Sequence, residues 1–391
     1  MWNRPAPLRV EKPSWQMKSV GIIGGGIGGV AAAASLHKLG IAATVYERAA
    51  ELKEVGAGLM LWPNATRVLQ SLGLLEQVKF RGGANTHFRV RANCGKILMN
   101  IALGDFDVPA LCVRRSDLLA ALLTAVPPDR IRLGREFTHL EQTNSKVQVH
   151  FSDGSTEEHD AVIGADGIRS RVREHVLGIC EPVYRGYTVW RGVSTYAGTA
   201  IREGYSSETW GRGSRFGILG MGPGLFTWYA TANMPRRDPP SLQQRKEELI
   251  QRLTGWHEPI PALIESAEFI MENGAFDLPP LPQWTAGRVT LLGDAAHPCT
   301  PNLGQGGGMA LEDALVFARC VAGASSLEAA LQQYDSLRRH RTRHIQQRSL
   351  MMGHIGQWQN RVVVAGRQVV TSLLPAALFE HNLRRVYSYE P

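Results

Sequence analysis

The first clear pattern along the chain is a short apolar run, Val20-Gly21-Ile22-Ile23, which predicts a buried strand beginning at Ser19. It leads directly into Gly24-Gly25-Gly26-Ile27-Gly28-Gly29 and then into the alanine-rich stretch Val30 to Leu36, which predicts a helix. Gly40 ends that helix. Ala42 to Tyr46 predicts the next strand, with Glu47 at its C-terminal end. Together these make one βαβ unit. Residues 1–17 carry charges and Pro but no apolar core, so they are expected to be a loose extension and not a secretory signal.

Further on, Ser116 to Ala125 predicts a helix. Lys146 to Phe151 alternates as a strand, with a hairpin turn at Asp153-Gly154. Ala161 to Ala165 predicts a buried strand ending in Asp166-Gly167. The pattern then changes: residues 181–271 carry half of the chain's Trp and Tyr in short alternating runs, which predicts a largely antiparallel sheet. Pro239-Pro240 opens a helix running to Leu253. Arg288 to Leu292 is another buried strand, followed by the turn-rich stretch Pro298 to Gly308 and a helix from Met309 to Ala322. Val362 to Phe379 predicts one C-terminal helix packing on the body. The α/β elements thus flank the β-rich segment, so the first domain is expected to be discontinuous.

Composition changes the picture at two points. Glycine contributes 41 of 391 residues, above the usual share of about 7%, and the excess is concentrated in the runs just described. The formal charge of +8 suits an anionic partner but comes without a dense basic patch interleaved with aromatics, so no nucleic-acid partner is expected. The basic run Arg338 to His344 reads as a solvated helix face. Cysteines 94, 112, 180, 299 and 320 form no CxxC or framework spacing, and His340 with His344 lacks further ligands, so no metal is expected. No apolar run reaches the ~18 residues of a membrane span. The expected compartment is the cytoplasm.

Gly24-x-Gly26-x-x-Gly29, between a strand and a helix and followed by an acid at 47, carries the spacing of a dinucleotide fingerprint. The first Gly permits the turn, the second lets backbone approach a pyrophosphate, and the third lets the helix pack on the strand. Glu47 is placed to accept from a ribose diol. FAD and NAD(P) share this motif, so it does not choose between them. Gly293-Asp294 and Pro301-Asn302-Leu303-Gly304-Gln305-Gly306-Gly307-Gly308 point to a flavin. Asp294 at a strand end suits a polyol, and a glycine run at a helix start lets N–H groups lie against a flat ring. His297 reads as a structural histidine.

With these motifs the sequence resembles the single-component FAD-dependent aromatic hydroxylases, the class A flavoprotein monooxygenases. Three signatures match in order: Gly24 to Gly29 with Glu47; Gly164-Ala165-Asp166-Gly167-Ile168-Arg169-Ser170 followed by Arg173; and Gly293-Asp294 through Gly308. The resemblance spans roughly Lys18 to Arg348. It implies an α/β fold: a discontinuous Rossmann-like FAD-binding domain (18–74, 106–178 and 284–350), an inserted mixed, largely antiparallel β-sheet substrate domain (75–105 and 179–283), and a C-terminal helical segment (351–391).

It also implies that Gly28, Glu47 and Arg48 hold the adenosine half of FAD, with Gly24, Gly26, Gly29 and Gly58 among the other cofactor-binding residues. Arg115 lies near the ribityl chain, Asp294 binds the ribityl and pyrophosphate region, Phe137 lies on the adenine side, and Asp166 serves both FAD-side structure and NAD(P)H use. Pro301, Gly304, Gly306, Gly307 and Gly308 border the isoalloxazine. NADPH or NADH would be the reductant. One oxygen atom of dioxygen would enter a small aromatic or heteroaromatic substrate by way of a C4a-hydroperoxyflavin. The alternatives are epoxidation on the same scaffold, or a flavin oxidase or dehydrogenase without oxygen insertion.

Val55 to Gly58, Trp62 to Ala65 and Tyr187 to Gly192 look closest to the urate, salicylate and zeaxanthin-epoxidising branches. The chain departs from the urate branch at Asn302, where that branch has Asp, at Thr227 and at Arg191, while Arg215 matches its substrate arginine. Arg191 and Arg215 are therefore the candidates for orienting an anionic substrate, with Pro301 beside the ring. Trp190, Trp210, Phe226 and Trp228 are candidates for a ring-binding face, with core packing as the competing reading. A monomer or homodimer without stable membrane insertion is expected.

Overall fold

The computed structural model describes residues 17–52, 57–103 and 106–391, so most of the N-terminal extension and Val55-Gly56 lie outside it. Strand β1 (Ser19–Ile23), helix α1 (Ile27–Lys38) and strand β2 (Ala42–Glu47) form the expected first unit. Val20, Ile22, Ala43 and Val45 are closed to solvent, as strands of a parallel sheet covered by helices must be.

The six-stranded sheet built on them runs Thr285–Ala286, Val289–Leu291, Ala161–Gly164, β1, β2, Ile131–Leu133. Every pairing is parallel except at the edge, where Thr285–Ala286 turns back on Val289–Leu291. Segments more than 100 residues apart thus share one sheet, and their C-terminal ends bring the three glycine-bearing loops to one edge. Open parallel sheets place their ligands in the crevice outside those strand ends.

A second sheet has seven strands, in the order Ile270–Asp277, Val183–Thr195, Leu225–Asn233, Ser214–Gly220, Tyr205–Trp210, His87–Ala92, Ile97–Ala102. It is antiparallel except where Tyr205–Trp210 runs parallel to His87–Ala92. Those two strands come from distant parts of the chain, so no hairpin forces them to oppose. One face packs Trp190, Phe216, Ile218 and Trp228 against the helices Leu242–Arg252 and Ile260–Glu265. The opposite face looks toward the glycine-bearing loops.

Two elements differ from expectation. The helix predicted from Met309 begins at Gly306 and runs to Gly323, so three glycines form its first turn. The single C-terminal helix is two, Arg361–Leu373 and Ala376–Tyr387, meeting at 90°. Pro375 bars the residue before it from helical backbone, and Leu374 is extended at φ −70°, ψ 130°. No single helix among the described residues is long and apolar enough to cross a membrane.

Candidate active site

The first loop is shaped by three different demands on glycine. Gly24 has φ +113°, and a β-carbon there would stand 2.4 Å from the Ala165 carbonyl. A β-carbon at Gly29 would stand 2.0 Å from the Gly24 carbonyl, which fixes how closely α1 packs. Gly26 faces open space, with nothing within 4 Å. It is also the N-cap of α1, and no side chain caps that end. The first N–H groups of the helix are therefore free for an anion. Gly28 faces Leu292 and Ala310, so it seats α1 against the helix Gly306–Gly323. Glu47 closes the loop: Gly25 N donates to its Oε2 at 2.7 Å and Ala49 N to its Oε1 at 2.9 Å. Arg48 beside it is exposed.

The other two loops are tied to each other. Asp166 accepts from Ser170 Oγ and from the backbone of Arg171 and Val172, capping the helix Arg171–Leu177. Burial raises the Asp166 carboxyl, against those hydrogen bonds. Buried Arg173 donates to Ala295 O at 2.8 Å and to Ile168 O at 2.6 Å, linking the second signature to the third. Arg171 donates to Phe137 O at 3.1 Å, while the Phe137 ring lies in the core.

Asp313 anchors the third loop from the helix behind it. It accepts from Gly293 N at 2.9 Å and His297 Nε2 at 2.5 Å, and it pairs with Arg338 at 2.6 Å. Burial alone would raise the Asp313 carboxyl, but His297 and Arg338 hold it down at about 2. His297 is thus committed to structure, as its sequence context suggested.

Between the loops and the seven-stranded sheet lies a cleft of about 790 Å³. Its loop side carries Gly58, Arg115, Asp294, Pro301, Gly304 and Gly306–Gly307. Its sheet side carries Val189, Arg191, Arg215, Leu219, Tyr229 and Met271. Asp294 is deep in the molecule yet open to this cleft. Burial raises its carboxyl, and His297 and Arg115 pull it back. Gly304 sits at φ +59°, and a β-carbon on Gly307 would stand 3.0 Å from Leu59, so Gly304, Gly306 and Gly307 present only backbone to the cleft.

Residues 17–349 match the family model described as an FAD binding domain. The chain is 37% identical over 379 residues to an aurachin C monooxygenase/isomerase from Stigmatella aurantiaca, covering 95% of this chain and 98% of that protein. It is 34% identical to a 2-heptyl-3-hydroxy-4(1H)-quinolone synthase from Pseudomonas aeruginosa, with 94% and 97% covered. HpxO of Klebsiella pneumoniae, solved with FAD and uric acid, superposes with a TM-score of 0.90 at 26% identity, covering 96% of this chain and 97% of that one. The chain belongs to the FAD-dependent aromatic monooxygenases.

The loops of this monooxygenase fit its cofactor. An uncapped helix N-terminus behind a bare glycine suits a pyrophosphate, and an acid at the end of β2 suits a ribose. A carboxylate opening onto a cleft beside a run of glycine backbone suits the polyol and the flat ring. Among the described residues, the structure brings Arg115, Asp294, Gly58, Pro301, Gly304, Gly306 and Gly307 to one cleft with Arg191 and Arg215. Gly308 is the third residue of the helix and faces Asn64 and Ala65. Gly58 also locks the cleft wall: its N–H donates to Thr227 Oγ1 at 2.9 Å.

Of the two readings of the sheet aromatics, core packing is the one the structure shows for Trp190, Phe226 and Trp228. Trp190, Phe226 and Trp228 point to the far side of the sheet, into the helix-packed core. Trp210 stays on the near side but donates to Glu208 Oε2 at 2.8 Å, under Arg367, and does not line the cleft. Successive strand residues face opposite ways, so Trp190 and Arg191 cannot share a face. Choosing Arg191 selects its register partners, Tyr229 and Met271. Tyr229 and Phe276 are cleft aromatics that the sequence did not single out, and for Tyr229 the alternation from Arg191 was the signal that could have found it once the pairing was known.

Arg191 and Arg215 differ in kind. Arg215 is buried, pairs with Glu208 Oε1 at 3.0 Å and donates to Asn302 Oδ1 at 2.5 Å. Arg191 is half-buried, and no carboxylate among the described residues lies within ion-pair range of it. Burial, reinforced by the neighbouring Arg115 guanidinium, lowers its pKa from the ordinary arginine value.

Proposed function

We propose that this monooxygenase hydroxylates an oxo- or hydroxy-substituted nitrogen heteroaromatic of the 4-quinolone class, bound as its oxyanion against Arg191. The observation that carries this reading is the uncompensated guanidinium of Arg191, set in the cleft between Tyr229 and Met271 and facing the glycine-lined wall. A desolvated cation next to a second cation gains most from an anion placed beside it. Val189, Leu219, Met60 and Leu59 supply apolar walls for a flat ring and an alkyl substituent. The Pseudomonas aeruginosa relative is named for a quinolone, and uric acid in HpxO is also an oxo nitrogen heterocycle.

Bound FAD supplies reduction by NAD(P)H and activation of dioxygen. The chain's own part is binding, orientation and exclusion of water. Gly24, Gly26, Gly28, Gly29, Glu47 and Arg48 are assigned to the adenosine end, with Phe137 and Asp166 supporting it. Arg115, Asp294 and Gly58 are assigned to the ribityl side, and Pro301 with Gly304 to Gly308 to the ring. Arg191 orients the substrate oxyanion, and Arg215 acts from below through Asn302. The two large sheets are read as two domains with the boundaries expected from sequence.

The test is a panel of 4(1H)-quinolones, hydroxynicotinates and urate with purified holoenzyme. Quinolones are expected to stimulate NAD(P)H oxidation most and to give a product one oxygen atom heavier. Coupled oxygen insertion into another group on the panel, with none into quinolones, overturns the substrate class. Stimulated NAD(P)H oxidation yielding only hydrogen peroxide with every compound overturns the hydroxylation.

A further inference from the structure

We propose that His139, Glu141 and His150 form a transition-metal site, suited to Zn²⁺, on the outer face of a hairpin remote from the cleft. The strands Phe137–Gln142 and Val147–Phe151 are antiparallel, and His139 and His150 are directly opposed in their register. Glu141 lies two residues beyond His139, so the pleat returns it to the same face. The three residues offer donor atoms that all lie within 4.8 Å of one another.

Local contacts hold the two rings side by side, and a ring must turn out of the stack for both nitrogens to meet one ion. The rings lie parallel, with centroids 4.1 Å apart and planes within 10°. His139 Nδ1 is 3.2 Å from Thr138 Oγ1, which leaves Nε2 as that ring's open donor. Thr138 also donates to His150 O at 2.9 Å, holding the opposed pair together. His150 Nε2 is shielded from solvent, has no hydrogen-bond partner, and stands 3.9 Å from Glu141 Oε1. A buried ring nitrogen without a partner is a cost that an ion between it and the carboxylate removes.

Two imidazoles and one carboxylate are a donor set that Zn²⁺ takes at about 2.0–2.2 Å, with water completing the tetrahedron. His139 and Glu141 are exposed, so their side chains can turn to bring donors now up to 4.8 Å apart onto one ion. An ion held here bolts one strand of the hairpin to the next, beside Phe137 and the Arg171–Glu136 ion pair.

The experiment is a Zn²⁺ titration of chelator-treated, FAD-loaded protein by calorimetry, with bound zinc counted by elemental analysis and the unfolding midpoint measured with and without Zn²⁺. One tight equivalent and a raised midpoint are expected. Both are expected to be lost in His139→Ala and in Glu141→Gln, two exposed positions whose replacement leaves the core intact, and in His150→Ala. The double variant His340→Ala/His344→Ala, which removes an exposed i, i+4 histidine pair elsewhere, should bind as the parent does. No tight equivalent in the parent, equal binding by the hairpin variants, or loss in the His340/His344 variant alone each overturns the site.

Discussion

Arg215 is ion-paired with Glu208 at 3.0 Å beneath the cleft, and Glu208 in turn receives the indole N–H of Trp210 at 2.8 Å. The charge of Arg215 is spent inside the protein. Removing it leaves Glu208 buried without its cation, so Arg215→Met is expected to destabilise the fold by about 3 kcal/mol. Arg191→Met should leave stability near the parent value and raise KM for an oxyanionic substrate by at least about tenfold. Urea unfolding and steady-state kinetics on both variants check the division. A large KM effect with unchanged stability for Arg215→Met would reverse the two roles.

Substitutions at Gly26 and Gly29 are expected to separate cofactor binding from folding. A β-carbon at Gly29 collides with backbone at 2.0 Å, whereas one at Gly26 meets nothing within 4 Å. Gly29→Ala is therefore expected to yield little folded protein. Gly26→Ala should fold, with unchanged far-ultraviolet circular dichroism, and bind FAD more weakly. Flavin absorbance per protein after dialysis measures it, and full FAD retention by Gly26→Ala would count against the pyrophosphate cradle.

Asp294→Ala tests the other end of the cofactor. The carboxyl opens onto the cleft and makes no hydrogen bond that the surrounding fold depends on. The variant is expected to keep its fold and lose most of its flavin. A yellow, fully loaded Asp294→Ala protein would remove Asp294 from the cofactor set.

The acid limb of stability should report on Asp313. Its folded-state pKa, about 2, lies below the ordinary value of 3.8. A carboxyl depressed on folding stabilises above its unfolded value and loses that contribution as pH falls through the folded one. The contribution, on the order of 2 kcal/mol, is thus complete above about pH 4 and lost between about pH 4 and 2. Asp313→Asn should lower the unfolding midpoint at pH 7 and flatten its decline across that window. Parallel declines in the two proteins would show that Asp313 is not the titrating group.

The C-terminal helix reaches back to the cofactor side. Tyr387 stacks on Trp62 with centroids 4.3 Å apart and planes within 6°. A β-carbon at Gly304 would stand 3.2 Å from the Trp62 indole nitrogen. Tyr387→Ala is expected to cost about 3–5 kcal/mol of stability and to speed amide exchange at Trp62 and Gly304. Unchanged exchange there would mean the stack does not brace the loop.

The sequence by itself determined the βαβ unit, the three glycine signatures and the family. Those are local demands: a tight turn at Gly24 and a close helix approach at Gly29, each written in a few adjacent residues. It also named Arg191 and Arg215 but could not tell them apart. Only the tertiary structure decided that, because the partner that neutralises Arg215 is a carboxylate on a neighbouring strand, and the cation that presses on Arg191 lies 76 positions earlier, at Arg115.

The two readings of the sheet aromatics could not be separated from sequence for the same reason. Alternation along one strand gives two faces but not which of them meets the cleft. That choice is made by helices packing over Trp190 and Trp228, which turns Arg191, Tyr229 and Met271 inward. Pairing across a sheet and burial against distant helices are non-local quantities, and they set the chemistry of the substrate side.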